Sequence, residues 1–185
     1  MKIVVIDSAS RISIRPDNAV LRNNDTFYLP NFSKDIVCDY GYVVRITRLA
    51  KCIATKFASR CYDSVTAGVT FIARDTLLQA IESGLPTDEA YCFDHSTAIG
   101  TEWLTVDDLS GEAKLSAQVS DSESVASYNN LLEIINSAVS NASNKLTLKT
   151  GDLVFIATSN SLSVKAGDTI TVEHNNNELL KCEIK

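Results

Sequence analysis

The stretch T-A-G-V-T-F-I-A-R-D, residues 66–75, decides how this chain reads. Its β-branched and aromatic residues, Thr66, Val69, Thr70, Phe71 and Ile72, predict a strand over residues 64–72. Asp75 then opens a helical pattern that runs to residue 83. Gly84 ends it and Pro86 follows, the usual stop signal.

Upstream, residues 55–62 read as helical and residues 40–47 alternate as a strand. Residues 2–6 form a short buried strand, residues 8–18 a polar loop containing Pro16, and residues 19–21 and 27–29 short extended pieces around the Asn23-Asn24-Asp25 turn. Downstream, Val125, Tyr128, Leu132, Ile135 and Val139 recur at three- and four-residue steps, which predicts one helix over residues 122–141. Lys149-Thr150-Gly151-Asp152 and Lys165-Ala166-Gly167-Asp168 are near-copies of one turn, each placed before a β-branched strand. Asn175-Asn176-Asn177 outlines a final hairpin. The pattern is that of a mixed, β-rich α+β fold. No linker divides it, so residues 1–185 read as a single domain.

Composition narrows the function. The chain carries 17 basic and 23 acidic residues, a formal charge of −6, and no basic run, which argues against a nucleic-acid partner. No apolar run reaches membrane-spanning length, and Asp7 interrupts M-K-I-V-V-I-D too early for an export signal. Cys38, Cys52, Cys61, Cys92 and Cys182 are odd in number and form no C-x-x-C pair, so they read as reduced thiols in a cytoplasmic protein. M-K-I-V-V-I-D is not followed by the glycine-rich turn of a nucleotide site. His95 and His174 are the only histidines, and neither lies in an arrangement that would activate a serine or cysteine nucleophile.

Residues 66–75 resemble the G-x-D-x-[ST]-A-R-D signature of the fumarylacetoacetate hydrolase family. Gly68 and Ala73-Arg74-Asp75 match, and Thr70 stands where the family has aspartate. Four further segments are similar to family motifs in the same order. These are R-P-D-N-A-V-L from Arg15, F-Y-L-P-N-F-S from Phe27, A-Y-C-F-D-H-S-T-A-I-G from Ala90 and L-K-T-G-D-L-V-F-I-A-T from Leu148. The resemblance implies a rolled β-sheet with flanking helices, usually a homodimer. It also implies a divalent metal that serves cleavage, decarboxylation or isomerisation of 2-oxo acids and β-diketones.

In that family three acids hold the cation, which stabilises a developing enolate. By the resemblance two of them, an E-x-E pair on one strand, fall on Asp39 and Gly41, and the third falls on Thr70. The family lysine falls on Tyr91, the glutamine after A-R-D falls on Leu77, and no histidine follows the first strand. A phenol stays neutral near pH 7. Arg15 and Arg74 are left as candidates to bind a small 2-oxo acid-like ligand, since guanidinium groups match carboxylates bidentately. Arg74, Tyr91, Asp94 and His95 are the residual pocket candidates.

The expectation is therefore a degenerate, dimeric member of the family that needs no cofactor and has lost the metal-dependent reaction. The alternative is an active acylpyruvate hydrolase or isomerase-like enzyme using Mg²⁺ or Mn²⁺ at a rearranged site. On this reading, Asp39→Glu, Gly41→Glu and Thr70→Asp together should rebuild the cation cage.

Overall fold

The computed structural model describes residues 1–22, 24–109 and 111–185. In chain order the first elements are β1 (Lys2–Ile6), β2 (Ile12–Pro16), β3 (Val20–Leu21), β4 (Ile36–Ile46), β5 (Tyr62–Ala73), α1 (Arg74–Glu82), β6 (Thr97–Ile99) and β7 (Leu104–Thr105). After them come β8 (Ala113–Val119), β9 (Ser122–Tyr128), α2 (Leu131–Lys145), β10 (Leu153–Val164), β11 (Thr169–His174) and β12 (Asn177–Glu183). No described helix is long and apolar enough to cross a membrane.

The larger sheet runs β2-β1-β10-β4-β5-β6-β3, with β7 also paired to β5. Its two edge strands, β2 and β3, are consecutive in sequence and joined only by the short 3₁₀ turn Asp17–Ala19. The sheet therefore curls until its edges meet, which gives it an inner and an outer face. Inward residues include Ile3, Val5, Val43, Ile99, Leu153 and Phe155, a small apolar cluster. Outward residues such as Tyr42, Val44, Val65, Val69 and Phe71 join the main core with α2 and the four-stranded sheet β12-β11-β8-β9. There Phe27 stacks on Phe71 with ring centroids 3.7 Å apart, and the Tyr42 hydroxyl meets His174 Nδ1 at 2.7 Å across the two sheets.

The duplicated turn is real and each half is built alike. Gly151 and Gly167 take φ of 88° and 93°, a region that suits glycine. Asp152 then accepts from the Lys149 amide at 2.8 Å, and Asp168 from the Lys165 amide at 2.9 Å. The Asn175–Asn176 hairpin and the α+β class also stand as read. Asn23 lies outside the described residues.

Two sequence readings are corrected. Residues 122–128 do not belong to a helix. They form β9, paired antiparallel with β8 from Ala113↔Tyr128 to Val119↔Ser122. S-E-S-V-A-S-Y is an alternating, serine-rich pattern as well as a helical one. Asn130 accepts from the Glu133 amide at 3.2 Å and so caps α2, which starts at Leu131 rather than at residue 122. Residues 8–18 are not all loop either, because Ile12–Pro16 is β2, paired with β1. Pro16 is tolerated there because β2 is an edge strand.

Asp152 ties the first strand to this turn. It is 3% exposed and accepts from the Lys2 amide at 3.0 Å as well as pairing with Lys2 Nζ. Burial pushes its carboxyl up, but the Lys2 side chain and the Lys149 and Lys2 amides outweigh burial and hold it below its ordinary value of 3.8. A depressed carboxyl stabilises the fold above its unfolded value and stops doing so as pH falls through the folded one. Asp152→Ala should cost about 2–3 kcal/mol at neutral pH. Urea unfolding of both proteins should find that gap narrowing below pH 4, the acid limb of the linkage.

Candidate functional site

The pairing register brings the three expected cage positions together on the inner face of the roll. Asp39 lies opposite Thr70 and Gly41 opposite Gly68 across β4 and β5. On the other side of β4, Asp39 faces Ser161 and Gly41 faces Ala157 of β10, with a bulge between Ala157 and Ser161. Opposed residues of paired strands share a face, so all of these side chains project inward.

Protein atoms occupy the points where side chains at positions 41 and 68 would begin. A Cβ added at Gly41 would lie 2.0 Å from the Ile156 carbonyl oxygen, and one at Gly68 would lie 2.5 Å from Val43 Cγ2 and 2.8 Å from Phe155 Cε2. Asp39 accepts a hydrogen bond from the Ser161 hydroxyl. Burial raises the Asp39 carboxyl above its ordinary range, against the opposing pull of Ser161 and Arg15, while the charge of Asp7 adds to the rise.

Arg15 enters the same face from β2, since its register partner Ile3 belongs to the inward cluster. It is 2% exposed, and its guanidinium lies over the Tyr91 ring at 4.6 Å. Burial lowers its pKa, with Cys92, Tyr91 and Asp39 opposing, yet an arginine of this kind stays charged. Burial also raises the Tyr91 phenol, Arg15 opposing it and Asp39 adding to it. The segment carrying Tyr91 is pinned to the strand-joining turn, because the His95 amide bonds the Asn18 carbonyl at 3.1 Å and the Asn18 side chain bonds Asp94.

Other sequence candidates lie elsewhere. Arg74 is exposed and makes a two-pronged pair with Asp35, at 2.6 and 2.9 Å. Asp75 closes the preceding turn through the Ser33 hydroxyl at 2.6 Å and the Lys34 amide at 2.9 Å. Asp94 and His95 are exposed, and His95 sits at φ 60° in the turn. Sequence reasoning missed Ser161, which lies in no motif, and Thr97, which sits at a variable position of the motif over residues 90–100. Only the strand register places them beside Asp39 and Thr70. A cavity of about 980 Å³ lies next to this ground, walled by Asp7, Ser10, Tyr128, Asn130, Thr158 and Asn160 among others.

The family model for the C-terminal domain of fumarylacetoacetate hydrolase matches residues 5–184. The chain belongs to the fumarylacetoacetate hydrolase family. Solved structures of similar fold include fumarylpyruvate hydrolase from Pseudomonas aeruginosa in complex with Mn²⁺ and pyruvate. That structure is 17% identical, with a TM-score of 0.88, over 100% of this chain and 89% of that one. A 2-hydroxyhepta-2,4-diene-1,7-dioate isomerase from Mycobacterium marinum is 20% identical over 99% of this chain and 73% of that one, with a TM-score of 0.82. A 5-carboxymethyl-2-hydroxymuconate delta-isomerase from Mycobacterium smegmatis is 17% identical over 99% and 78%, at 0.80. No curated protein matches the sequence.

The residues present do not fit a cation held as the family resemblance implies. Asp39 is one carboxylate, Thr70 offers a neutral hydroxyl, and Gly41 offers no side chain, with a backbone oxygen lying where one would start. Among the described residues no three of His, Cys, Asp or Glu gather as a possible metal site. The expected cage-rebuilding triple substitution is therefore corrected, because a glutamate at position 41 would have to displace the β10 backbone.

Gly41→Ala should cost about 3 kcal/mol or more, at the upper end of overpacking penalties. Gly68→Ala should cost less, because the Val43 and Phe155 side chains it meets can shift whereas the Ile156 carbonyl is fixed in a sheet. Urea midpoints of the two variants should fall in that order.

Proposed function

We propose that this chain is a degenerate member of the fumarylacetoacetate hydrolase family, a pseudoenzyme that keeps the fold as a ligand-binding or assembly scaffold without the metal-dependent reaction. The observation that carries this reading is the Ile156 carbonyl oxygen at the point where a position-41 side chain would begin. One carboxylate and one hydroxyl make a poor cage for Mg²⁺ or Mn²⁺, which favour several anionic oxygens. Loss of a positioned base costs roughly 10²–10⁴ in rate, and loss of metal stabilisation costs several kcal/mol more. Tyr91 restores no charge in place of the family lysine. The ligand class that suits the remaining chemistry is a small 2-oxo acid or a related carboxylate.

On this reading the protein works as a homodimer in the cytoplasm. Support for assembly comes from Leu78 and Ile81, one turn apart on α1, and from Leu85 just beyond it, which are 53%, 61% and 61% exposed. Support for a reducing compartment comes from the five free cysteines.

Calorimetric titration with MnCl₂ or MgCl₂ should give no stoichiometric micromolar site. Acylpyruvates and oxaloacetate should turn over no faster with the protein and metal than with metal alone. Robust metal-dependent turnover by the unaltered protein would instead establish the alternative, an enzyme with relocated ligands. Light scattering at micromolar concentration should give twice the chain mass, and a monomeric mass would remove the assembly half of the proposal.

A further inference from the structure

Three buried side-chain atoms among the described residues have no hydrogen-bond partner: Arg15 Nε, Arg15 Nη1 and Thr97 Oγ1. They are not scattered. Arg15 shares the inner face with Ile3, and Thr97 lies opposite Thr70, which itself lies opposite Asp39. All three orphans therefore lie on the inner face that carries the cage positions.

Arg15 is the larger anomaly. Buried N–H donors are nearly always paired, and an uncompensated buried charge is among the costliest features a fold can carry. No ion pair among the described residues includes Arg15. Asp39 contributes a favourable field but accepts from the Ser161 hydroxyl through Oδ1. The Cys92 thiol beside the guanidinium is a weak neutral acceptor that itself donates to the Ile14 carbonyl at 3.2 Å. The Tyr91 face attracts the guanidinium, but a ring face offers no acceptor for Nε or Nη1. What is missing is a small acceptor carrying negative charge.

We infer that Arg15, supported by Thr97, holds the carboxylate group of a small monoanion inside the roll, so that a fixed guanidinium does in this chain the oxygen-gripping that a cation would do elsewhere. The inference rests on the reading that no divalent cation occupies this ground. The anion is small because Val43, Phe155 and the Ile156 carbonyl crowd the floor. It is singly charged because the Asp39 carboxyl projects from the same inner face as Arg15 and would repel a second negative charge. Thr97 Oγ1 can donate to a carboxylate oxygen, and Arg15 supplies the charge-assisted bonds.

The test is thermal unfolding in EDTA with sodium formate, acetate or pyruvate, against chloride and sulfate at matched ionic strength, with pyruvate calorimetry as the direct measure. Wild type should show a saturable, carboxylate-specific rise in Tm and one pyruvate per chain. Arg15→Met should abolish both, and Thr97→Val should weaken binding about tenfold, the equivalent of one hydrogen bond. In carboxylate-free buffer Arg15→Met should melt at or above wild type, because it removes a buried charge and keeps the volume. The absence of a carboxylate-specific rise, or a rise that never saturates, would overturn the inference. So would an Arg15→Met protein that melts well below wild type without carboxylate, since Arg15 would then be satisfied within the fold. Pyruvate binding that appears only with Mn²⁺ would overturn the functional reading itself. A lack of pyruvate binding under all conditions would overturn only the anion site.

Discussion

The constraint on which the rest of this structure depends is the approach of β10 to β4 at Gly41. The Ile156 carbonyl lies so close that even a methyl group at position 41 has no place. Backbone atoms in a paired strand do not move aside cheaply, because each shift breaks ladder bonds on both sides. Gly41 therefore sets the local spacing of the roll, the bulge that follows Ala157 and the position of Ser161 over Asp39. A site built around a side chain at that position would need a different sheet.

The fold was largely legible in the sequence because its signals are local. Glycine turns before β-branched strands at Gly151 and Gly167, the Gly84 stop after α1, and the A-R-D junction between β5 and α1 are each decided by a few neighbouring residues. The failures came where two periods fit the same letters. S-E-S-V-A-S-Y carries apolar residues at both helical and strand spacing, and the choice was made by β8, which the sequence reading had not identified as a strand partner. Tertiary pairing overrode the local pattern there.

The site was legible only in part, for the same reason. Motif positions gave Asp39, Gly41 and Thr70, and the register does bring them together. Arg74 belongs to the same signature, yet it faces solvent and pairs with Asp35, so a motif position fixes a place on the chain without fixing a role. Ser161 lies in no motif, and the motifs that contain Thr97 and Ile156 assign neither a role, because what matters about all three is which strand they meet. Arg15 was legible as a residue type, but its burial and missing partners depend on the curling of the sheet that turns β2 inward.

Charge balance links these observations. A site lined by several carboxylates is held together by its cation, and removing the cation leaves mutual repulsion in a low-dielectric interior. This chain carries one acid on that ground and answers it with a neutral hydroxyl bond and a buried guanidinium nearby. Burial still raises the Asp39 carboxyl, so neither partner fully compensates it. Arg15 likewise keeps two unpaired donor atoms. Had Asp39 and Arg15 closed on one another as a bidentate pair, both charges would be satisfied and the ground would be inert. Because Asp39 accepts from Ser161 instead, the Nε and Nη1 donors of Arg15 are left without an acceptor. On the proposed reading the arrangement favours an anion over a cation, which is the reverse of what three carboxylates would select.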